Sequence, residues 1–387
     1  MKVFKDVLYG YIKVSDLALS IIDKPEFQRL RQLRQLGVAH YVFPSANHNR
    51  FEHSIGTYHL AGQLLNQIKD RQPELAITER TVELVQCAAL LHDVGHVAFS
   101  HLFDHCLAKD LGLPHHEERS TQLVRLMVQK YPDIKLKSDE VDLICQLIIG
   151  KRSGETPSKS YPAYLFEIVS NSDFQLDVDK CDYLVRDAHY IGISSPLQIE
   201  RIFSFARVID SHICYHKKVY LQIMDVFMAR YRLHKEVYRH HAVVGIELQV
   251  VDILKILSEY FDWKSMFRTP KWIYVTDSIL DMIPMMGDGS ASSSKHKLIE
   301  RAQNLFEALQ NRKFYKRVLD HDDEKCDQTR QTVKSVLGLS SSTSNPMDAL
   351  LFYESDLIPH TIKPGDISKL LSSTCVEVEH LVYQLTE

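Results

Sequence analysis

Hydrophobic residues along most of this chain recur every three or four positions, which is the spacing of one face of an α-helix. The pattern begins at Pro25 and predicts nine helical segments. These segments are 25–36, 50–69, 79–92, 118–130, 138–149, 164–170, 178–188, 197–206 and 222–259. We therefore predict a mainly α fold.

Two short segments have the β-branched and aromatic content of strands. They are Asp6–Val14 and Arg207–Tyr220, and we expect each to form a short β-hairpin. Polar, glycine-rich or serine-rich stretches predict loops at 151–162, 286–295 and 338–346. We predict a helical domain over residues 1–260 and a smaller, mixed α/β C-terminal region over residues 261–387.

The composition is that of a soluble globular protein, with 45% hydrophobic and 25% charged residues and a net charge of -4. Nucleic acid is therefore a possible partner but not a favoured one. The seven cysteines are scattered and include no C-x-x-C pair, which favours an intracellular, reducing compartment such as cytoplasm or nucleus. No apolar stretch is long enough to predict a membrane span.

The first candidate for chemistry is a His-Asp pair, His92 and Asp93, at the end of the apolar run 85–91. A buried aspartate is costly without a compensating cation. Imidazole and carboxylate together are good ligands for zinc, iron or manganese. A lone pair of this kind proves little, so its interpretation depends on other residues.

Further histidine and aspartate residues stand in a suggestive order. His53 lies in the helical segment 50–69, and Asp179 begins a run in which Asp179, Tyr183 and Asp187 share one helix face. The order His, His-Asp, Asp is typical of HD phosphohydrolases. We predict a metal site formed by His53, His92, Asp93 and Asp179. Two imidazoles and two carboxylates would neutralise a divalent ion and leave positions for water and a phosphate oxygen.

Longer motifs resemble one family in particular. They are PEFQRLR at 25–31, QLG at 35–37, YVFP at 41–44, NHNRFEHSIG at 47–56, DVDK at 177–180 and LH-x-x-x-Y at 233–238. These strings resemble the animal SAM-and-HD-domain deoxynucleoside triphosphate triphosphohydrolases, most strongly over residues 1–250. The resemblance implies an HD-domain helical phosphohydrolase fold, and we expect no SAM domain in this sequence.

The resemblance also implies a reaction, the hydrolysis of a dNTP to deoxynucleoside and inorganic triphosphate. The departing 5′ oxygen needs a proton donor. His101 matches that role with Asp104 to orient it, and His96 would lie near the phosphates. His116 and Glu117 match the family's other active-site pair. Four further histidines are predicted to be surface residues: His48, His59, His105 and His115.

Substrate-binding residues follow from the same resemblance. Three cations, Arg50, Lys180 and Arg230, would bind the triphosphate together with magnesium. Gln35, Tyr183 and Asp187 would surround the sugar 3′ hydroxyl, and Leu36, His234 and Tyr238 would crowd the 2′ position, which excludes ribonucleotides. His96 and His101 complete this predicted set.

Enzymes of this family assemble as tetramers when activating nucleotides bind between subunits, so the resemblance implies a homo-oligomer, from dimer to tetramer. Residues matching the GTP/dGTP activator site are Lys2, Val3, Asp23, Gln28, Arg31, Arg312 and Lys316. Residues matching the second, dNTP activator site are Val42, Phe43, Arg201, Lys218 and His240. The sequence departs from the second site at Lys5, Glu236 and His241, so we expect altered nucleotide dependence or an altered partner contact. The polar face of an ordinary amphipathic helix would also explain Asp23, Gln28 and Arg31.

Two other functions remain open at this stage. One is an HD phosphodiesterase or nuclease acting on nucleic acid, which would need a continuous basic groove. The other is a catalytically silent nucleotide-binding scaffold. Loss of a metal ligand would indicate a scaffold, but all four predicted ligands are present.

Overall fold

The computed structural model describes residues 2–151, 161–171, 175–287, 293–318, 351–353, 359–361 and 382–385. Helices dominate these ranges, which confirms the predicted mainly α fold. The α-helices are α1 (Asp16–Ile22), α2 (Pro25–Gln28), α3 (Arg50–Arg71), α4 (Glu79–Leu91), α5 (His101–Phe103), α6 (His116–Lys130), α7 (Ser138–Ile149), α8 (Val178–Ile191), α9 (Ile199–Ser204), α10 (Tyr220–Leu233), α11 (His241–Tyr260), α12 (Trp263–Met266) and α13 (Ser293–Gln310).

Short strands lie at the edges of this helical body. They are β1 (Lys2–Asp6), β2 (Gly10–Val14), β3 (Ala206–Ile209), β4 (His212–His216), β5 (Tyr315–Val318), β6 (Leu351–Tyr353), β7 (Pro359–Thr361) and β8 (Val382–Leu385). Strands β1 and β2 pair antiparallel, as do β5 and β8, and a four-stranded sheet has the order β3-β4-β6-β7. Both predicted hairpins are present. The second ends at His216, because Lys217–Val219 forms a 3₁₀ turn that leads into α10.

Helix α3 is the centre of the fold and packs against α4 and α8. Each of these three helices begins at a side chain that accepts a backbone N–H, which satisfies a donor that the helix itself cannot. The caps are Asn49, Thr78 and Asp177. The apolar faces of α3 and α4 are almost fully buried, so their relative position is fixed by packing.

The helix predicted over 25–36 is shorter than expected. It continues beyond α2 only as a 3₁₀ turn, Arg29–Gln32, and then becomes extended at Leu33. The Arg50 N–H donates to the Leu33 carbonyl at 2.9 Å, and the Gln35 N–H donates to the His48 carbonyl at 2.9 Å. This pairing competes with the helix, and it brings Gln35 to the start of α3. The segment predicted over 164–170 is likewise a 3₁₀ turn, Ala163–Glu167.

The long helix predicted over 222–259 is interrupted. Helix α10 ends at Leu233, a π-helical turn follows at His234–Tyr238, and α11 begins after His240. The His240 imidazole accepts the Ala242 N–H at 3.3 Å and so caps the new helix. Single π turns are frequent at functional sites, because they redirect side chains that a regular helix would point elsewhere.

The domain boundary at residue 260 stays a prediction; α11 ends there, and α13 packs back against α11. The predicted loop 338–346 lies outside the described residues, and so do 152–160 and 288–292 of the other two loops. None of the described helices is long and apolar enough to cross a membrane.

Candidate active site

The four predicted metal ligands converge on one point. His53 Nε2 lies 3.3 Å from His92 Nε2, 3.0 Å from Asp179 Oδ1 and 3.7 Å from Asp93 Oδ2. His92 Nε2 lies 3.3 Å from Asp93 Oδ1 and 3.4 Å from Asp179 Oδ1. The packing of α4 and α8 on α3 brings these distant residues together.

The donor atoms of His53, His92 and Asp93 lie close enough together to hold one metal ion, and Asp179 Oδ1 reaches the same group through the two imidazoles. Ligand atoms that are each about 2.0–2.2 Å from one ion lie roughly 3.0–3.5 Å from one another. Burial alone would lower the pKa of His53, but hydrogen bonds to Asp179 and Asp182 outweigh it and raise the pKa to about 10. The neighbouring carboxylates therefore favour positive charge at this position.

The outer nitrogens of both ligand imidazoles have partners. His53 Nδ1 lies 2.8 Å from Asp182 Oδ2, and His92 Nδ1 lies 2.8 Å from the Ala89 carbonyl. A carbonyl can only accept, so Nδ1 of His92 carries the proton and Nε2 is free to coordinate. Such outer partners orient metal ligands and increase their basicity.

Gly56 makes room for this arrangement. A Cβ atom at Gly56 would lie 1.9 Å from Asp182 Oδ1 and 2.4 Å from Arg186 Nη2. Arg186 Nε donates to Asp182 Oδ2 at 2.8 Å, and Nη2 donates to Oδ1 at 2.9 Å. Any larger residue at position 56 would displace the carboxylate that orients His53.

Arg50, predicted to bind phosphate, already has protein partners. Its guanidinium pairs with the Asp93 carboxylate, and its Nε donates to Ser100 Oγ at 2.6 Å. This pair holds the pKa of Asp93 well below its ordinary value in spite of burial. Arg50 also lines the adjacent cavity, so it can contact the metal ligand and a bound anion together.

Three imidazoles cluster beside the metal site. The His96 and His116 rings stack with centroids 3.9 Å apart, and the edge of His101 lies against both. Ligand atoms of all three lie within 4.8 Å of one another, so this group could also hold a cation. His101 is open to solvent, whereas His96 is fully buried.

Two details of the predicted catalytic set need correction. Asp104 was expected to orient His101, but its Oδ2 accepts instead from His116 Nδ1 at 3.0 Å. The reason is that Arg119 pairs with the other Asp104 oxygen and holds the carboxylate toward α6. His96 was expected beside the substrate phosphates, but its ring lies behind His116 and does not line the cavity.

A cavity of about 530 Å³ opens from the metal site. This volume is within the usual range for small-molecule sites. Apart from His96, every residue predicted to bind substrate lines it: Gln35, Leu36, Arg50, His101, Lys180, Tyr183, Asp187, Arg230, His234 and Tyr238. The catalytic candidates His116 and Glu117 line it as well.

Asp187 is held from two sides. Its Oδ1 lies 2.7 Å from His48 Nε2, and its Oδ2 accepts from the Tyr238 hydroxyl at 2.6 Å. The prediction that His48 is a surface residue is therefore wrong, since its ring is buried and stacks on Tyr190. The position of His48 just before the α3 cap, within the quoted motif 47–56, is the signal that could have identified it.

The other predicted surface histidines differ among themselves. His105 and His115 are exposed, as predicted, but His105 also lines the cavity, and His59 is half-buried beside the Tyr9 ring. Sequence reasoning also missed Asp182, which orients His53. The signal was available, because Asp182 stands three residues after Asp179 in the same acidic run.

The charged cavity residues Arg239 and Glu247 are among those that were not anticipated. Burial raises the pKa of Glu247 to about 8, and this carboxyl has no hydrogen-bond or ion-pair partner among the described residues. Gln35 Oε1 and Arg230 Nε likewise lack partners within the described part of the chain. The cavity thus presents the polar groups of Gln35, Arg230 and Glu247 without partners among the described residues.

The predicted activator residues lie on the surface in separate groups. Arg31 Nε donates to Gln28 Oε1 at 3.0 Å, close to the exposed Asp23. Arg312 donates to the Tyr41 carbonyl at 3.2 Å.

Phe43 packs edge-on against His240, beside the half-buried Val42. The remaining members with a described side chain are exposed: Lys2, Val3, Arg201 and Lys218. The side chain of Lys316 lies outside the described residues.

The helical fold and the converging His, His-Asp, Asp set define a protein of the HD class. Residues 50–187 match the HD domain family, and this match begins at the first residue of α3 and ends within α8. All four converging ligands lie inside the matched range.

Comparison with known proteins identifies the family more closely. The chain is 35% identical over 365 residues to the deoxynucleoside triphosphate triphosphohydrolase SAMHD1 homolog of Dictyostelium discoideum, covering 94% of this chain and 67% of that protein. It belongs to the family of SAMHD1-like deoxynucleoside triphosphate triphosphohydrolases.

Two further relatives agree with this. The human SAMHD1 enzyme is 36% identical over 286 residues, covering 68% of this chain and 45% of that protein. An HD domain-containing protein of Acanthamoeba polyphaga mimivirus is 29% identical over 395 residues, covering 91% of this chain and 85% of that protein. The chain thus spans less than half the length of the human relative.

Proposed function

We propose that this protein hydrolyses dNTPs to deoxynucleoside and inorganic triphosphate in a reaction that depends on a divalent metal ion. One observation carries the proposal: the donor atoms of His53, His92, Asp93 and Asp179 meet beside a cavity of about 530 Å³ that is lined by cations. Membership of the SAMHD1-like family supports the same substrate class.

The four ligands would hold zinc, iron or manganese, since these metals accept mixed imidazole and carboxylate sets. When bound, the ion would polarise a phosphate oxygen and lower the pKa of a coordinated water. The protein contributes the rigid surroundings, because Asp182 and the Ala89 carbonyl fix the two imidazoles.

Lys180 and Arg230 would bind the triphosphate. Both line the cavity, and Lys180 follows the metal ligand Asp179 directly. Lys180 Nζ donates to Asp177 Oδ2 at 2.8 Å, which holds the ammonium at the start of α8. Helix N-termini also attract anions, so the phosphate chain would be stabilised from two directions.

Asp187 and Tyr238 would recognise the sugar. The Tyr238 hydroxyl is fixed by its hydrogen bond to Asp187, and Leu36 lies in the same cavity wall. A 2′ hydroxyl would have to enter this packed region, which would discriminate against ribonucleotides. Magnesium would accompany the nucleotide.

His101 would donate the proton to the departing 5′ oxygen, because it is the histidine of the cluster most open to the cavity. Desolvation by the surrounding cavity wall and the neighbouring His116 and Arg50 lower its pKa, although the ring keeps an open face toward the cavity. A bound triphosphate would act in the opposite direction and favour the protonated ring. Behind it, the His116–Asp104 pair would stabilise positive charge in the cluster.

Activation by guanine nucleotide and assembly to a tetramer are part of the proposal. The Asp23, Gln28 and Arg31 group supports a guanine site, with Asp23 exposed and Arg31 anchored by Gln28. Lys5 and Glu236 are also exposed on the surface. A glutamate beside a triphosphate is unfavourable, so the second nucleotide would be needed less or bound differently.

The test is product analysis with purified full chain, Mn²⁺ and dGTP. The expected products are deoxyguanosine and intact triphosphate. Release of dGDP and phosphate, or cleavage of single-stranded RNA or DNA instead of dGTP, would refute the proposed reaction. Repeating the assay with GTP and dATP while following molecular mass by light scattering tests the activator proposal, and no change in either would refute it.

A further inference from the structure

We infer that Asp6, at the end of β1, is a positioning residue for the metal site, acting through Arg186 and Asp182 on His53. The inference rests on the proposed metal site but not on the identity of the substrate. It links the N-terminal hairpin to a metal ligand more than forty positions away in the sequence.

The link is a continuous chain of hydrogen bonds. Asp6 Oδ2 accepts from Arg186 Nη1 at 3.0 Å, and the other two nitrogens of Arg186 donate to Asp182. Asp182 Oδ2 in turn lies 2.8 Å from His53 Nδ1. The planar guanidinium therefore has one carboxylate at each end, and both determine its orientation.

All four residues in this series of hydrogen bonds are buried. Arg186, Asp182 and His53 are fully inaccessible to solvent, and Asp6 is 8% exposed. Charged hydrogen bonds are stronger where water is excluded, and an unpaired charge there is costly. Removing the Asp6 charge would leave one edge of Arg186 without an anion, so Arg186 and Asp182 would readjust together.

Asp6 also controls its own hairpin. Its Oδ1 accepts the N–H groups of Leu8 at 2.8 Å and Tyr9 at 3.1 Å, which fixes the turn between β1 and β2. One oxygen of Asp6 thus accepts the hydrogen bonds that fix the hairpin turn. The other accepts the hydrogen bond from Arg186, which leads through Asp182 to His53. A shift of the hairpin would be transmitted to the carboxylate that orients the metal ligand.

The variant Asp6→Asn tests this role, because asparagine keeps the acceptor oxygen for the turn but removes the charge facing Arg186. The control is Glu26→Gln, which disrupts another buried carboxylate, one that accepts from Lys130 Nζ at 2.9 Å. Zn²⁺ affinity of the full chain would be measured by chelator competition, alongside the free energy of unfolding.

We expect Asp6→Asn to weaken Zn²⁺ binding by about 3–10-fold, and Asp182→Asn by about 10–100-fold, the usual range for direct partners of metal ligands. Glu26→Gln should leave Zn²⁺ affinity unchanged even if it lowers stability. The variant Asp6→Glu, which restores the charge, should recover part of the affinity and serves if Asp6→Asn does not fold.

If Asp6→Asn binds Zn²⁺ as tightly as the wild type and only loses stability, as Glu26→Gln does, the proposed role of Asp6 is overturned and the metal site is not. Absence of Zn²⁺ binding by the wild type would instead refute the metal site and this inference with it.

Discussion

The two walls of the cavity differ in how completely their polar groups are satisfied. On the wall formed by α3, α4 and α8, the outer nitrogens of His53 and His92 are held by Asp182 and the Ala89 carbonyl. On the wall formed by α10 and α11, Arg230 Nε and the Glu247 carboxyl have no partner among the described residues.

This difference agrees with the two kinds of binding that we propose. A metal ion needs fixed donors at fixed distances, so its wall is preorganised. A nucleotide brings its own donors, acceptors and charges, and the groups that receive it must be free before it binds. Buried polar groups without partners are rare in folded proteins, and a ligand is one accepted explanation for them.

The largest effect on activity should come from the wall formed by α3, α4 and α8, called here the metal wall because it carries the proposed ligands. Asp179→Asn should reduce dNTP turnover by more than about 100-fold, because the carboxylate is a proposed ligand whose described ion pairs are with His53 and His92. The change should alter the melting temperature little, since Asp179 is partly exposed. Steady-state kinetics and thermal unfolding, with the exposed Asp139→Asn as control, measure both. Full activity in Asp179→Asn would show that the preorganised wall is structural.

A smaller effect is expected from the opposite wall. Arg230→Gln should raise KM for dNTP by about 10-fold, because one charge-assisted contact to the triphosphate is lost. The amount of bound metal should not change, because Arg230 lies on the wall opposite the proposed metal ligands. Arg232→Gln is the matched control, since Arg232 lies on the same helix and is exposed. An unchanged KM, or a loss of bound metal, would contradict the proposal that one wall binds the metal and the other binds the nucleotide.

The smallest effect concerns Glu247. Its pKa is raised from 4.5 to about 8, so the folded protein keeps a proton that the unfolded chain loses. Stability therefore falls as pH rises through this window. Glu247→Gln removes the effect, and it should be more stable than the wild type by on the order of 1–2 kcal/mol at pH 9, with no difference near pH 4. Denaturant unfolding at both pH values measures this, and parallel pH profiles would contradict it.

The proposed metal ligands could be named from sequence because they occur in a fixed order within helices of regular spacing. His53, His92, Asp93 and Asp179 each lie in or beside a helix that the apolar period identifies. The packing of these helices then brings the ligands together. Helix capping at Asn49 and Asp177 agrees with the same boundaries.

The departures from prediction occur where tertiary contacts override local pattern. The helix predicted from residue 25 ends early because Leu33 pairs with the backbone of Arg50. His48 looked like a surface residue because only the folded chain brings Asp187 to it. The partner of Asp104 was misassigned because i+3 spacing suggested His101, whereas Arg119 turns the carboxylate toward His116.

The cavity residues on the wall formed by α10 and α11 were only partly predicted from the sequence. Arg230, His234 and Tyr238 were found by resemblance, but the π turn that aims the latter two into the cavity is not visible in a helical period. Glu247 lies in an apolar helix where a single acid carries no motif.

The most direct test of the account is the number of divalent ions bound per chain. Equilibrium dialysis of the full chain against limiting Zn²⁺ or Mn²⁺, followed by elemental analysis, should give one tightly bound ion for the wild type and a loss of that ion in Asp179→Asn. Equal metal content in the two proteins, or none in the wild type, would contradict the claim that these four side chains hold one metal ion.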